Sequence, residues 1–290
     1  MFIYSILCIL AAVFWTLAMY FGKIAMRDTT TVGLNTIRFI VFVVLIFIAT
    51  LGIEGLQPIE PRMIFPIFMA SLTGWIVGAT LYFYVLKLDS LHRVGPVSSS
   101  SPVWTVVLAV LFLHEKLTLL SFLALLCVIT GLVIMTMFSG NGEEKNNSKS
   151  NNKLTTAVVA MIGAVLVALS WGSSTVFTKY VLTLYMPFNA MFYKAIFAVI
   201  GLLILSYFTK PGYTKHGVVY SIISGLCLIT GEIFFMVSLK NIAASQAALL
   251  TSSMIPFTFI IGMLFLGEKP TVPGFVSMLF FFTAVVLVAL

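Results

Sequence analysis

WTLAMYFGK, residues 15–23, returns as WGSSTVFTK, residues 171–179, after an interval of 156 positions. Tryptophan opens each stretch and lysine closes it: Trp15 and Lys23 in the first, Trp171 and Lys179 in the second. Arg38 is matched by Lys194 at the same interval. Farther along, Lys87 pairs with Lys240 at 153, Pro102 with Pro256 at 154, and FLHEKLT (112–118) with FLGEKPT (265–271) at 153. One such match would be chance. Six in colinear order indicate an internal duplication.

What is duplicated follows from composition. Of the 290 residues, 61% are apolar and only 9% are charged, whereas a soluble domain carries about 25% charged residues. A water-soluble fold would lack the polar surface to cover itself, so a soluble enzyme is excluded. A bilayer-spanning helix takes roughly 20 apolar residues. Ten spans would leave 29 residues each, with about nine for every connection and no room for a separate soluble domain. The net charge of +7 comes from lysines and arginines scattered singly at the ends of apolar runs. They form no basic stripe of the kind that binds nucleic acid, and such residues reach towards lipid headgroups instead. Cys8, Cys127 and Cys227 lie inside apolar runs without a spacing motif and read as packing residues. The apolar N-terminus lacks a basic leader and a cleavage site, so it reads as a retained first span.

The sequence predicts an all-α integral membrane protein with spans over 2–22, 32–51, 63–86, 94–113, 117–138, 154–178, 188–208, 217–239, 243–266 and 271–290. Residues 139–153, SGNGEEKNNSKSNNK, hold no large apolar side chain and form a polar linker. The organisation is therefore a first five-helix repeat over 1–138, the linker, and a second over 154–290. Five crossings is an odd number, so the second copy enters the membrane from the opposite face. Ten transmembrane helices then form two inverted five-helix repeats, the plan of many secondary transporters.

The ordered features resemble the drug/metabolite transporter superfamily, in its ten-span EamA-type branch. They are the Trp–Lys stretches, Arg38–Phe39, YFYVLKLDS (82–90), Pro102 and Pro256, and the FLHEK and FLGEK turns. The resemblance implies a multi-pass carrier for small organic solutes, often an exporter, in the plasma membrane of a bacterium or archaeon, with a central cavity between the repeats. The chain departs from the family habit in His114, where glycine is usual, in Glu232, where a small or aliphatic residue is usual, and in the run Ser98–Ser101.

Glu232 is the sharpest candidate for chemistry. It lies inside an apolar span, SIISGLCLITGEIFFMVSL (221–239), where an ionised carboxylate is costly unless paired or hydrated. It reads as a proton-coupling or amine-binding group facing a wet cavity, the alternative being a hydrogen-bonded structural acid. Arg38 and Lys194 are cations at equivalent positions of the repeats, suited to an anionic group on a solute or to a structural lock. Both signs of charge in one site would suit a zwitterion such as an amino acid. Trp15 and Trp171 lie mid-span, away from the interfacial belts where tryptophan gathers, and with Tyr82, Tyr84 and Trp104 suggest an aromatic lining or plain packing. Pro102 and Pro256 would kink their spans, with Ser99 and Ser252 among the hydroxyls that satisfy the freed backbone. Gly74 and Gly78 read as a close helix contact. Glu115 and Glu268 are expected to cap the spans that follow them and to pair with Lys116 and Lys269.

No metal-ligand spacing, nucleophile motif or phosphate-cradling loop is present, so neither metal nor cofactor is expected and the chain does not read as an enzyme. The function expected is secondary-active transport of a small polar metabolite by alternating access, as a proton-coupled amino acid or metabolite exporter. A nucleotide-sugar or sugar-phosphate exchanger is the alternative, and a membrane-embedded enzyme a more distant one. The expected partners are a small-molecule substrate, the lipid bilayer and protons as the candidate coupling ion, with no nucleic acid. The chain would act as a monomer or a homodimer. With internal termini, four lysines and arginines face the cytoplasm and ten the other side, so charge favours external termini. The resemblance implies cytoplasmic ones.

Overall fold

The computed structural model describes residues 2–88, 91–138, 151–266 and 271–289, and among these the regular structure is helical. Helix α1 spans Phe2–Ala25 and α2 spans Thr31–Ala49, continuing through a wide π-helical turn to Glu54. Helix α3 (Pro61–Ser71) passes through a second π-helical segment, Leu72–Gly78, into α4 (Ala79–Leu88). Helices α5 (Leu91–Ser98), α6 (Ser101–Phe112) and α7 (Leu119–Phe138) complete the first half. The second half holds α8 (Asn151–Val181), α9 (Pro187–Thr209), α10 (Lys215–Asn241), α11 (Ala244–Thr251), α12 (Met254–Leu266) and α13 (Val272–Ala289). Helix α8 starts three residues before the predicted span, inside the stretch read as linker; residues 139–150 lie outside the described residues.

Nine of these stretches among the described residues are long and apolar enough to cross a membrane. The remaining predicted span, 94–113, corresponds to two shorter helices, of which α6 is apolar over twelve residues. The helix ends follow local chemistry. Thr30 and Thr214 accept the backbone N–H of Gly33 and Gly217 and cap α2 and α10. Pro61 and Pro187 open α3 and α9, where a missing N–H costs nothing.

Apolar side chains cover the outside, with Phe65, Leu111, Ile162, Phe208 and Leu279 among the most exposed. Serine, threonine, asparagine, Arg38, Lys194 and Glu232 are buried inside. This inversion suits lipid as the outer solvent. The main packing pairs join one half to the other: α1 with α10, α2 with α9, α6 with α8, and α7 with α13. Close approach is made possible by small residues. A Cβ on Gly74 would stand 2.2 Å from Ser174 Oγ, and one on Gly78 would stand 2.7 Å from the Trp171 ring. The expected Gly74–Gly78 contact face is thus present.

Candidate functional site

Charged side chains buried in an apolar bundle need a reason. Here they converge. A cavity of about 150 Å³ lies at the centre, lined by Trp15, Arg38, Tyr82, Ser99, Pro102, Trp171, Lys194, Glu232 and Ser252, and also by Trp75. That is roughly ten times what one water needs. Residues from both halves line it. Of the site residues expected from sequence, Pro256 does not line it, although it is buried beside Ile255, which does. Tyr84 is exposed and Trp104 stands outside the lining.

The charges are arranged around one indole. Trp75 Nε1 donates to Glu232 Oε1 at 3.4 Å, and the Lys194 ammonium lies over the Trp75 ring, 4.1 Å from its centroid. The acid and the lysine therefore share Trp75, and no direct ion pair joins them within 4 Å. Arg38 donates from Nη1 to Asn35 Oδ1 at 3.2 Å and stands 5.4 Å over the Phe83 ring. Several polar atoms of residues lining the cavity are left without a partner: Glu232 Oε2, Trp15 Nε1, Arg38 Nε and Thr178 Oγ1. Each such atom costs about 1–3 kcal/mol when nothing meets it. Several around one cavity mark a place for a polar occupant.

The tryptophans are seated alike. Trp15 packs on Phe235 at 4.9 Å and against Gly231; Trp171 packs on Tyr82 at 5.2 Å and against Gly78. Phe235 and Gly231 stand 153 positions after Tyr82 and Gly78.

The sequence pattern of the EamA-like transporter family matches residues 2–137 and 158–290, nearly the whole chain, in two segments. The chain belongs to that family. A protein of Bacillus cereus named "Probable glucose uptake protein" is 24% identical over 275 residues, 91% of this chain and 89% of that one. An uncharacterized protein of Methanocaldococcus jannaschii is 29% identical over 133 residues, which are 46% of this chain and 95% of that one. A solved crystal structure shares the fold with a TM-score of 0.75 at 13% identity, covering 98% of this chain and 95% of the other. This EamA-like chain is a multi-pass membrane transporter.

Three features of the transporter differ from the sequence reading. The spans with Pro102 and Pro256 are broken rather than kinked. Non-helical residues at Ser99–Ser100 and Ser252–Ser253 separate α5 from α6 and α11 from α12. The hydroxyls bond within the turn and do not fill freed carbonyls: Ser100 donates to Val97, Ser252 to Leu249 and Ser253 to Leu250, at 2.6–2.8 Å, and each of these carbonyls also accepts a backbone N–H. Glu115 does not cap the helix that follows it, since Thr118 does so by accepting from Ser121 N–H. Its carboxylate reaches the other half and accepts from Ala244 N, Ser245 N and Ser245 Oγ at 2.7–3.0 Å, capping α11. Glu268 and Lys269, from which a cap and a pair were likewise expected, lie outside the described residues. Lys179, expected only to mark a span end, donates to the carbonyls of Leu239 and Ile242 at 2.7 Å.

Sequence reasoning missed Trp75. Its signal was present in the neighbouring Gly74 and Gly78, which bring that turn against α8. A π-helical turn with a buried aromatic is a frequent setting for function.

Proposed function

We propose that the chain is a secondary-active carrier that binds a small zwitterionic metabolite, such as an amino acid, in the central cavity and moves it by alternating access. The observation that carries the reading is Glu232: a carboxylate buried mid-bundle, with one oxygen unpartnered, in a cavity that also presents Lys194 and Arg38. An ammonium group of the solute would meet Glu232 and a carboxylate would meet the cations, with the tryptophan rings holding the apolar part.

The inverted-repeat plan, with ten crossings divided at residues 139–153, supports alternating access. Exchanging each predicted span of one half for its counterpart turns the packing of α1 on α10 into that of α8 on α3 and α4. The same exchange turns α6 on α8 into α12 and α11 on α1, and it returns α2 on α9 and α7 on α13 to themselves. Trp15 on Phe235 becomes Trp171 on Tyr82. The acid breaks this symmetry, because the counterpart of Glu232 is Ala79. Glu232 is the acid among the described lining residues, which suits it to proton coupling.

Flux of labelled amino acids and hexoses into proteoliposomes, with and without a pH gradient, tests the reading. The expected result is amino acid flux that follows the gradient, with coupling lost in Glu232→Gln while the variant stays folded. Gradient-driven flux unchanged in Glu232→Gln would remove the acid from the mechanism. A monosaccharide is the second reading, favoured by the name of the Bacillus cereus relative and by three indoles in the lining. Hexose flux without amino acid flux would select it. A nucleotide-sugar or sugar-phosphate exchanger has less support, since a phosphate needs several converging cations, whereas Arg38 and Lys194 are the two among the described lining residues and Glu232 stands with them.

A further inference from the structure

Lysine ends the first and third predicted spans of both halves, and the two ends of the bundle treat these lysines differently. At the end where α1 begins, Lys179 donates to the carbonyls of Leu239 and Ile242, and Lys240 donates to those of Leu182 and Tyr185. The tips of α8 and α10 are thereby tied to each other. Cations suit these places, since the last carbonyls of a helix carry its negative end. Around them, Glu115 holds α11, and Glu54 accepts from the N–H groups of Phe188 and Asn189. This end is shut.

At the other end stand the counterparts Lys23 and Lys87. Both are exposed, and neither makes a hydrogen bond or ion pair among the described residues. Lys23 borders a second cavity of about 30 Å³ together with Leu86, the counterpart of Leu239. That cavity shares Met19 and Tyr82 with the central one, so the two lie side by side, and Lys23 lines the smaller. The lysines bonded to helix-tip carbonyls at the first end thus have unbonded counterparts at the second, where His216 with Asp28 and Thr29 with Gly212 join the halves instead.

We propose that Lys23 and Lys87 are the gating residues of this end. When the cavity turns to face the start of α1, Lys23 closes on the carbonyl of Leu86, and Lys87 closes on those of Met26 and Thr29. These are the counterparts of Leu239, Leu182 and Tyr185. Lys179 and Lys240 let go in the same step. Two latches of like chemistry keep the two states close in free energy, which a carrier needs in order to cycle. The proposal rests on alternating access but not on the identity of the solute.

The test uses the full-length protein in lipid nanodiscs and a hydrophilic maleimide. Leu86→Cys and Leu239→Cys, made separately, report the two ends, with labelling of the parent's native cysteines subtracted. Lys23→Met with Lys87→Met should lower the labelling rate of Leu239→Cys about tenfold, because loss of two charged hydrogen-bonding groups depopulates the state that opens that end. These lysines are exposed, so the variant is expected to fold. An unchanged or raised rate overturns the proposal. Lys179→Met with Lys240→Met separates this failure from that of alternating access itself. A rise at Leu239→Cys with a fall at Leu86→Cys marks a switch. A rise at Leu239→Cys with no fall at Leu86→Cys is mere loosening and overturns alternating access and the gating proposal together.

Discussion

Trp75 acts on two charges at once, and its two contacts can be separated. The hydrogen bond to Glu232 is long at 3.4 Å, so its loss alone is worth less than about 1 kcal/mol. A cation over an indole in a desolvated site contributes about 2 kcal/mol. Trp75→Phe, which keeps a ring under Lys194 but has no N–H, should therefore raise KM by no more than about fivefold. Trp75→Leu, which removes both contacts, should raise it more than about tenfold. Initial-rate flux measurements on both variants check the order, and equal effects would contradict it. His114 offers a second test, because it adopts φ 53°, the left-handed region. That conformation costs a side-chain-bearing residue about 1–2 kcal/mol, while glycine loses about 0.5–1 kcal/mol more backbone freedom on folding. His114→Gly should thus stabilise the protein by up to about 1 kcal/mol, read as a higher melting temperature in detergent. Arg38, Lys194 and Glu232 were legible in the sequence because a charge inside an apolar run is expensive and so demands a use. Trp75 was passed over despite its flanking Gly74 and Gly78, because no tryptophan repeats it in the second half as Trp171 repeats Trp15.

At the scale of the helix, glycine placement decides how closely the walls of the cavity approach. Gly78 and Gly231 are the seats of Trp171 and Trp15. A Cβ on Gly78 would lie 2.6 Å from the Thr73 carbonyl and 2.7 Å from the Trp171 ring, and neither can withdraw without moving a helix or the cavity wall. Gly78→Ala should destabilise the fold by about 1–3 kcal/mol through overpacking. Gly52 provides the contrast, with nothing within 4 Å of a built Cβ. Gly52→Ala should be neutral or gain up to about 1 kcal/mol from helix propensity. Thermal unfolding of the two variants, followed by size-exclusion chromatography, compares them. The breaks in the spans of Pro102 and Pro256 were only half legible. Proline and hydroxyl residues announce a disrupted backbone, but they announce a kink and a full interruption alike.

For the whole molecule, the question is what each half lacks alone. Lipid supplies no hydrophobic drive between helices, so association depends on packing and on interhelical polar contacts. Many of these cross between the halves. Ser174 donates to Ala70 O and Ser224 to Ala18 O. His216 donates to Asp28 at 2.6 Å, and Glu54 and Glu115 cap α9 and α11 of the other half. The buried charges depend on the partner half as well: Lys194 rests on Trp75, and the Arg38 backbone abuts Gly225. A half without its partner would turn Arg38 or Lys194 towards lipid, at a cost of several kcal/mol. Residues 1–138 and 139–290, expressed as separate chains, should therefore each aggregate or be degraded. Expressed together, they should co-purify as one monodisperse complex that melts near the intact chain. A stable, monodisperse 1–138 fragment that ignores its partner would mean that the halves fold independently, and that the charges at their junction are not what binds them.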